Sequence, residues 1–508
     1  MKIEQRRSAI CFSIAIMVLL SATGGCGSVE TRKVLSSETS PADLTVQVDF
    51  SQAAGTLKAL HGVNGGPRAV GRHTGDMVTL HKEAGFPSVR LHDCNWPHPD
   101  VVDVPTIFPL FHLDPDDPKN FQFAKTDAYI KPIIANGASI LYRMGVSIEH
   151  KAPRFHVAPP EDFKKWAKIC VNILRHYNDG WANGYHYNIR HVEIWNEPAS
   201  SLMWTGSDKQ YFELYRTAVT AIKKYNAGIM VGGPVTSTPD GPMVRPFLAY
   251  CRDNKVPIDF FSWHSYSNVT LAPLFKRIKT ARSLLDEYGF KDTQSWCTEW
   301  KPIISGWKRI RWRPNTPRHT VRDAFAEMRN HEAAAFTASA LLQMQDAPVD
   351  MAYFYTADDS PWSMFDVFGE PGRIYFAMKA FNQFLQAPNR VAVTGAPGKD
   401  EISVGAGLSK DGKLAMLMAS NFRSKKQRLR IDLKNLPWKG KVKVTSWRID
   451  EKHEFAPEQA KQIDPENPVL FLDLPSGTVL LVQLQPESTV IAKIYRENAE
   501  RIFAFNDH

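Results

Sequence analysis

Between about Lys58 and Leu385 the chain repeats one pattern eight times: a short strand-like apolar run, then a longer stretch with helical character. The runs are Ala59–Asn64, Ser88–Asp93, Ser139–Ser147, His191–Glu197, Ile229–Gly233, Ile258–Tyr266, Gln294–Glu299 and Asp350–Thr356. Between them Asp162–His176, Asp208–Tyr225, Leu274–Tyr288 and Arg322–Gln345 place apolar residues at helical spacing, the last opening near Thr320 as N-cap. Eight strand–helix units over this length predict an α/β fold, a (β/α)8 TIM barrel whose site lies at the C-terminal strand ends. A doubly wound open sheet is the alternative. It is weakened because Gly65-Gly66-Pro67, after the first run, lacks the GxGxxG spacing of a phosphate loop.

After Pro388 the texture changes to short, often alternating runs split by turn residues, from Arg390–Val393 to Val479–Leu484. These predict an appended C-terminal β-sandwich over residues 387–486, behind a catalytic barrel over 58–386. Residues 44–57 open on an alternating strand, Leu44–Phe50, which is expected to join the sandwich. Residues 487–508 read as a helical or frayed tail.

The N-terminus reads as an export signal over residues 1–26. Lys2, Arg6 and Arg7 are followed by the apolar run Ala9–Leu20, too short for a comfortable membrane span, and then by Gly24-Gly25-Cys26. Cys26 is the candidate lipidation site, although Thr23 stands where a lipoprotein box prefers leucine. Residues 27–43 are Ser/Thr/Glu-rich and read as a flexible tether. The expected location is periplasmic or cell-surface, with the membrane as partner through a lipid on Cys26. Cys94, Cys170, Cys251 and Cys297 are widely spaced, which argues against a zinc site or a disulfide framework, so no metal or cofactor is expected. The net charge of +9 is not gathered into one long block, so nucleic acid is not an expected partner.

Two strings carry the chemistry. His-Val-Glu-Ile-Trp-Asn-Glu-Pro ends the fourth run with Glu197, and Trp-Cys-Thr-Glu-Trp ends the seventh with Glu299. Two carboxylates at one end of a barrel are the minimal equipment for cleaving a glycosidic bond, one as acid and the other as nucleophile or base. Regular alternation cannot point both Asn196 and Glu197 inward, so a kink or bulge is required there. Along the seventh run Cys297 and Glu299 should share a face, with Trp296 and Trp300 beside the carboxylate. His264 and Tyr266 share a face at the top of the sixth run, within reach of a carboxylate or a sugar hydroxyl. Arg90 and His92 share a face of the second run, where an arginine can hold a carboxylate ionised. His61 and Asn64 end the first run. The candidate substrate-binding residues are therefore Asn196, Arg90, His92, His264, Tyr266, His61 and Trp300.

With these residues in view, the chain resembles glycoside hydrolase family 39, which holds retaining β-xylosidases and α-L-iduronidases. The similarity runs from about Leu60 to Phe384. It includes Val89-Arg90-Leu91-His92, Glu193-Ile194-Trp195-Asn196-Glu197-Pro198, Tyr211–Tyr215, Val231-Gly232-Gly233-Pro234, Pro257–Tyr266 and Thr298-Glu299-Trp300. The resemblance implies a retaining glycosidase with Glu197 as acid/base, Glu299 as nucleophile and Asn196 bonding the 2-hydroxyl. It also implies that Arg90, His264 and Tyr266 support the site. Lys301 departs from the family pattern, since the xylosidases tend to carry Asn there. The expected partner is an oligo- or polysaccharide. Alternatives on the same barrel are a transglycosidase and a non-catalytic surface glycan-binding protein, the latter disfavoured by the presence of both glutamates.

One further stretch bears on the substrate. Residues 307–322, after the seventh run, hold six Lys or Arg, two Trp and no acid. A loop at that position lies on the catalytic face. Arginine pairs with carboxylates and sulfates, so an acidic glycan is one expectation. A solvated lid is the plainer one.

Overall fold

The computed structural model describes residues 42–487, apart from 69–74, 96–97, 149–154, 268, 312, 314, 464–465 and 467. The export signal, Cys26, nearly all of the tether and the tail beyond 487 lie outside the described residues. Among the described residues no helix is long and apolar enough to cross a membrane.

The first strand, β1 (Leu44–Thr56), precedes a closed barrel of eight parallel strands. These are β2 (Gly62–Asn64), β3 (Ser88–Leu91), β4 (Ser139–Met144), β5 (His191–Ile194), β6 (Met230–Thr236), β7 (Phe260–Ser267), β8 (Gln294–Pro302) and β9 (Met351–Phe354). The ring closes where Gly62 pairs with Tyr353. The strands match the eight apolar runs one for one. Inside the barrel, Leu141, Phe260, Trp296 and Tyr353 form an apolar floor, with the Phe260 and Trp296 rings stacked 4.0 Å apart. Gly232 is required beside them, because a Cβ there would lie 2.2 Å from the Phe260 ring. Polar side chains fill the layers above.

Around the ring run amphipathic helices. Phe163–Asp179 is capped by the Asp162 carboxylate, and Asp208–Tyr225 opens on a Ser207–Gln210 capping box. The expected single helix Arg322–Gln345 is two, Arg318–Glu327 and His331–Gln343. Asn330 breaks it, because its side chain accepts from the Ala333 N–H and starts the second helix. Thr320 is the third residue of the first helix, whose N-cap is Pro317.

The C-terminal domain comprises β10 (Asn389–Thr394), β11 (Ile402–Leu408), β12 (Ala415–Asn421), β13 (Arg428–Lys434), β14 (Val442–Ile449), β15 (Glu454–Pro457), β16 (Lys461–Ile463), β17 (Val469–Asp473) and β18 (Thr478–Pro486). β15 and β16 are short and carry little apolar pattern, so sequence reading missed them. β1 joins the two halves of this sheet, antiparallel to β10 and parallel to β13. The sheet folds over one core drawn from nearly all its strands, including Val48, Leu417, Ile431 and Leu480. Alternation along β12 then serves two cores. Leu417 and Ala419 face the sandwich, whereas Met416 and Met418 join the barrel's core. There Phe422 meets Phe336 edge-on at 5.2 Å, and Ser420 donates to the Ala335 carbonyl. Burying such side chains contributes roughly 1.5–3 kcal/mol each, which holds the helix His331–Gln343 between the two domains. Cys94, Cys170, Cys251 and Cys297 are all free and buried.

Candidate active site

The chain turns sharply after β5. Trp195 and Glu197 adopt left-handed backbone, φ 71° and 41°. Such conformations cost about 1–2 kcal/mol per non-glycine residue, and here they aim consecutive side chains. Trp195 points outward, donating from its indole to the Met203 carbonyl and meeting Trp204 edge-on. Asn196 points into the lumen, its Oδ1 accepting from Arg90 Nη2 at 2.7 Å. Glu197 also faces the lumen, with Oε1 2.9 Å from His264 Nδ1. The Glu197 N–H donates to the Val235 carbonyl, so β6 fixes the turn.

Glu299 reaches the lumen by a different device. Trp296 belongs to the barrel floor and Cys297 to the core outside the strands. Strict alternation would send Glu299 outward with Cys297, the shared face expected from the sequence. Instead, Trp263 and His264 of β7 pair with Cys297 and Glu299, leaving Thr298 as an extra residue in β8. This bulge reverses the sense of the strand beyond it. Glu299 therefore faces inward beside His264, while Trp300 turns outward.

The two carboxylates converge. One oxygen of Glu197, one of Glu299 and a ring nitrogen of His264 lie within 4.8 Å of one another. Arg90 Nη1 donates to Glu299 Oε1 at 2.8 Å, and Tyr266 donates to Oε2 at 2.5 Å. His92 Nε2 is 3.6 Å from Oε1. Arg90 is fully buried and also donates to Glu193 and to Asn64. Burial opposes its charge, but Glu193 and Glu299 outweigh that and hold it firmly protonated. Burial, with Arg90, Arg143 and His264 nearby, keeps His92 neutral, well below the usual histidine range. Burial also pushes the Glu197 carboxyl up, but the hydrogen bond and charge of His264, helped by Ser237 and Arg90, outweigh it. Glu197 thus titrates below the usual glutamate value. Two carboxylates and an imidazole are also donors that a metal ion uses, but Arg90 beside Glu299 Oε1 repels a cation, so the set does not suit a resident metal.

An aromatic wall stands on the Glu299 side. The Tyr266 ring lies 5.8 Å from Trp307, 6.0 Å from Tyr355 and 6.5 Å from Trp362. Arg311 sits 5.7 Å over the Trp307 ring. The basic loop therefore does reach the site, through Trp307. Of its other charges, Arg309 pairs with Glu327 and Arg322 with Asp323. Trp312 and the Arg318 side chain lie outside what is described.

Residues 73–370, more than half of the chain, match the family described as Glycosyl hydrolases family 39. The chain belongs to this family. The family 39 chain is 28% identical to the β-xylosidase of Geobacillus stearothermophilus over 173 residues, 30% of this chain and 33% of that protein. It is 28% identical to the β-xylosidase of Caldicellulosiruptor saccharolyticus over 195 residues, 36% of this chain and 37% of the other. The matches thus span about a third of the length of these curated relatives. Among solved structures, a glucosidase from Croceicoccus marinus superimposes with a TM-score of 0.75 at 24% identity, over 88% of this chain and 99% of that one. A monomeric β-xylosidase from Caulobacter crescentus CB15 gives 0.67 at 16% identity, over 88% and 100%. At these identities the likeness establishes the shared fold.

Within the family 39 chain, two sequence-derived candidates lie away from the site. His61 precedes β2 and is buried outside the lumen, bonding the Gly85 carbonyl and packing edge-on against Phe381. Burial lowers its pKa to about 4, so it is a neutral core residue. Trp300 is buried against Phe354, 5.3 Å between ring centres, and has no open face for a sugar. Lys301 is also buried, donating to the Trp362 carbonyl, and burial lowers its pKa to about 7. Sequence reading gave no role to Glu193, Asp93 or Tyr355. Glu193 could have been found by alternation along β5, between Val192 and Ile194, which join the core outside the strands. Tyr355 follows Tyr353 at the inward spacing of two. An apolar cavity of about 330 Å³, lined by Phe108, Phe111, Trp166 and Trp195 among others, lies on the outer side of Trp195, and neither carboxylate lines it.

Proposed function

We propose that this chain is an exported retaining glycosidase that cleaves β-xyloside-like bonds by double displacement. Glu299 is the nucleophile and Glu197 the acid/base. The observation that carries this reading is the convergence of Glu197, just past β5, and Glu299, inside β8, with one oxygen of each within 4.8 Å of the other. A retaining pair stands about 5–5.5 Å apart, against about 6.5–9.5 Å for an inverting pair, which must leave room for a water.

Each neighbour then has a task. Arg90 and Tyr266 bind one oxygen each of Glu299 and orient it for attack at the anomeric carbon. His264 bridges toward both carboxylates and sets Glu197. A sugar seated over Glu197 excludes water, which strengthens the upward push of burial and favours the protonated acid needed for the leaving oxygen. Asn196, held by Arg90, is placed to bond a ring hydroxyl. Tyr266, Trp307 and Trp362 offer apolar faces to the sugar ring.

The curated β-xylosidases support xylosides as the first substrate class, and Arg311 over Trp307 supports an acidic residue elsewhere on the glycan. The basic start, the apolar run Ala9–Leu20 and Gly24-Gly25-Cys26 support export with a lipid on Cys26, and so a reaction outside the cytoplasm. The test is a screen of aryl pyranosides and furanosides, with the first product's anomer read by NMR. A retained anomer released to water is expected. An inverted product would refute double displacement, and transfer to sugar acceptors in preference to water would make the chain a transglycosidase.

A further inference from the structure

Arg90 stands between two carboxylates. Its Nε donates to Glu193 Oε2 at 2.6 Å and its Nη1 to Glu299 Oε1 at 2.8 Å. The side chains of Arg90 and Glu193 expose no surface, and Glu193 Oε1 has no hydrogen-bond partner among the described residues. Arg143, which pairs with Glu193 in the strand register, spends its Nη2 on Asp103 and Ser147. One carboxylate would neutralise one guanidinium. This group has two, one from β5 and one from β8.

We propose that Glu193 is a positioning residue that keeps Arg90 charge-balanced while Glu299 carries the sugar. The proposal rests on the reading of Glu299 as nucleophile. Attack by a Glu299 oxygen forms a bond to the anomeric carbon as the glycosidic C–O bond breaks. The Glu197 proton goes to the leaving oxygen, and Glu299 loses its negative charge. In the second step a water oxygen bonds the anomeric carbon, its proton goes to Glu197, and the ester's electron pair returns to Glu299. Arg90 therefore faces two carboxylates before the first step and one after it. With Glu193 present, the group passes from one net negative charge to neutrality. Without it, the group would pass from neutral to positive in a buried site, with the newly ionised Glu197, to which Arg90 makes no hydrogen bond among the described residues, as the nearest balancing charge. A buried charge without a partner is strongly unfavourable. Glu193 thus lowers the barrier to the glycosyl-enzyme and deepens that intermediate, without touching substrate.

The test separates the two steps. Wild type, Glu193→Gln and Glu193→Asp are given 2,4-dinitrophenyl β-D-xyloside, or the same glycoside of whichever sugar the screen prefers. The dinitrophenolate burst reads the first step. Reactivation of protein trapped with the matching 2-deoxy-2-fluoro glycoside reads the second. Glu193→Gln should slow the first step by about 100-fold, with reactivation unchanged or faster. Glu193→Asp, which keeps the charge, should recover most of the first step. Equal slowing of both steps, or an Asp variant no better than Gln, would overturn the proposal, since a merely architectural residue behaves that way. If circular dichroism shows Glu193→Gln unfolded, Glu193→Met, which also removes the charge, carries the test: slowing confined to the first step supports the proposal, and equal slowing of both steps overturns it. Mass spectrometry of the trapped peptide distinguishes the two levels. A label away from Glu299 defeats the mechanism itself, whereas a label on Glu299 with unchanged partition defeats only the role of Glu193.

Discussion

His264 holds Glu197 across the barrel mouth, Nδ1 to Oε1 at 2.9 Å, and the same nitrogen is 3.4 Å from Glu299 Oε2. This contact, more than any other, offsets the burial that would raise Glu197, and leaves the carboxyl lowered. For a substrate with a poor leaving group, which needs Glu197 protonated, kcat/KM should therefore fall as pH rises, giving an optimum on the acid side. In His264→Leu the upward push of burial is left unopposed by the imidazole, so the falling limb should move to higher pH. A pH–rate profile checks this, and a limb that stays in place or moves lower contradicts it.

Glu299→Gln should lose turnover on the order of 10⁴-fold or more on every substrate, as nucleophile removal does. Glu197→Gln should spare the first step on dinitrophenyl glycosides and slow unactivated ones by roughly 10²–10⁴-fold. Added azide should rescue the second step by replacing water, with a glycosyl azide as product. Equal losses on both substrate types, with no azide effect, would reverse the assignment of Glu197.

Asp93 sits behind the site with the Tyr355 O–H on one oxygen and the Ile148 N–H on the other. Burial nevertheless pushes its carboxyl up to about 7 from an ordinary 3.8. The folded chain thus holds a proton that the unfolded chain releases, so this residue's contribution to stability is present below pH 3.8 and is lost as pH rises toward 7. Asp93→Asn removes that loss. The Tm of the variant relative to wild type should increase from about pH 4 to about pH 8, read by thermal melts across the range. A pH-independent difference would show that Asp93 does not titrate there.

Among the described residues of the 307–322 loop, Arg311 is the basic side chain stacked on the aromatic wall, whereas Arg309 and Arg322 are already paired with acids. If the glycan is acidic, an acidic oligosaccharide should be turned over better than a neutral one. Replacing Arg311, Arg313 and Arg318 by Gln should erase the preference, with Arg311→Gln alone giving most of the loss. Added salt should do the same in part, since exposed charges are screened over about 8 Å at physiological ionic strength. Unchanged acidic turnover in the triple variant would reduce the segment to a lid.

Cys26 is proposed to carry the lipid that tethers the barrel through residues 27–43. Cys26→Ser should move the protein from the membrane fraction to the soluble exported fraction. An unchanged distribution would end the lipoprotein reading.

The sequence by itself determined the barrel, because strand and helix periodicities are local and eight of them in series leave little choice of architecture. It put Glu197 and Glu299 on the fourth and seventh barrel strands, although β8 runs on to Pro302 past Glu299, and it required a kink to aim Asn196 and Glu197 together, which Trp195 and Glu197 supply with left-handed backbone. What it could not contain was register. Glu299 faces the lumen because Thr298 is extra against β7, a fact about the pairing of two strands far apart in sequence, and simple alternation put the carboxylate on the face of Cys297. The same inversion turned Trp300 into a core residue. His61 fell outside the site because it shares the outward side of Val63, opposite Asn64, which bonds Arg90 in the lumen. The sharing of Arg90 by Glu193 and Glu299 was invisible for the same reason: it joins β3, β5 and β8, and only closure of the barrel brings those three side chains within hydrogen-bond reach.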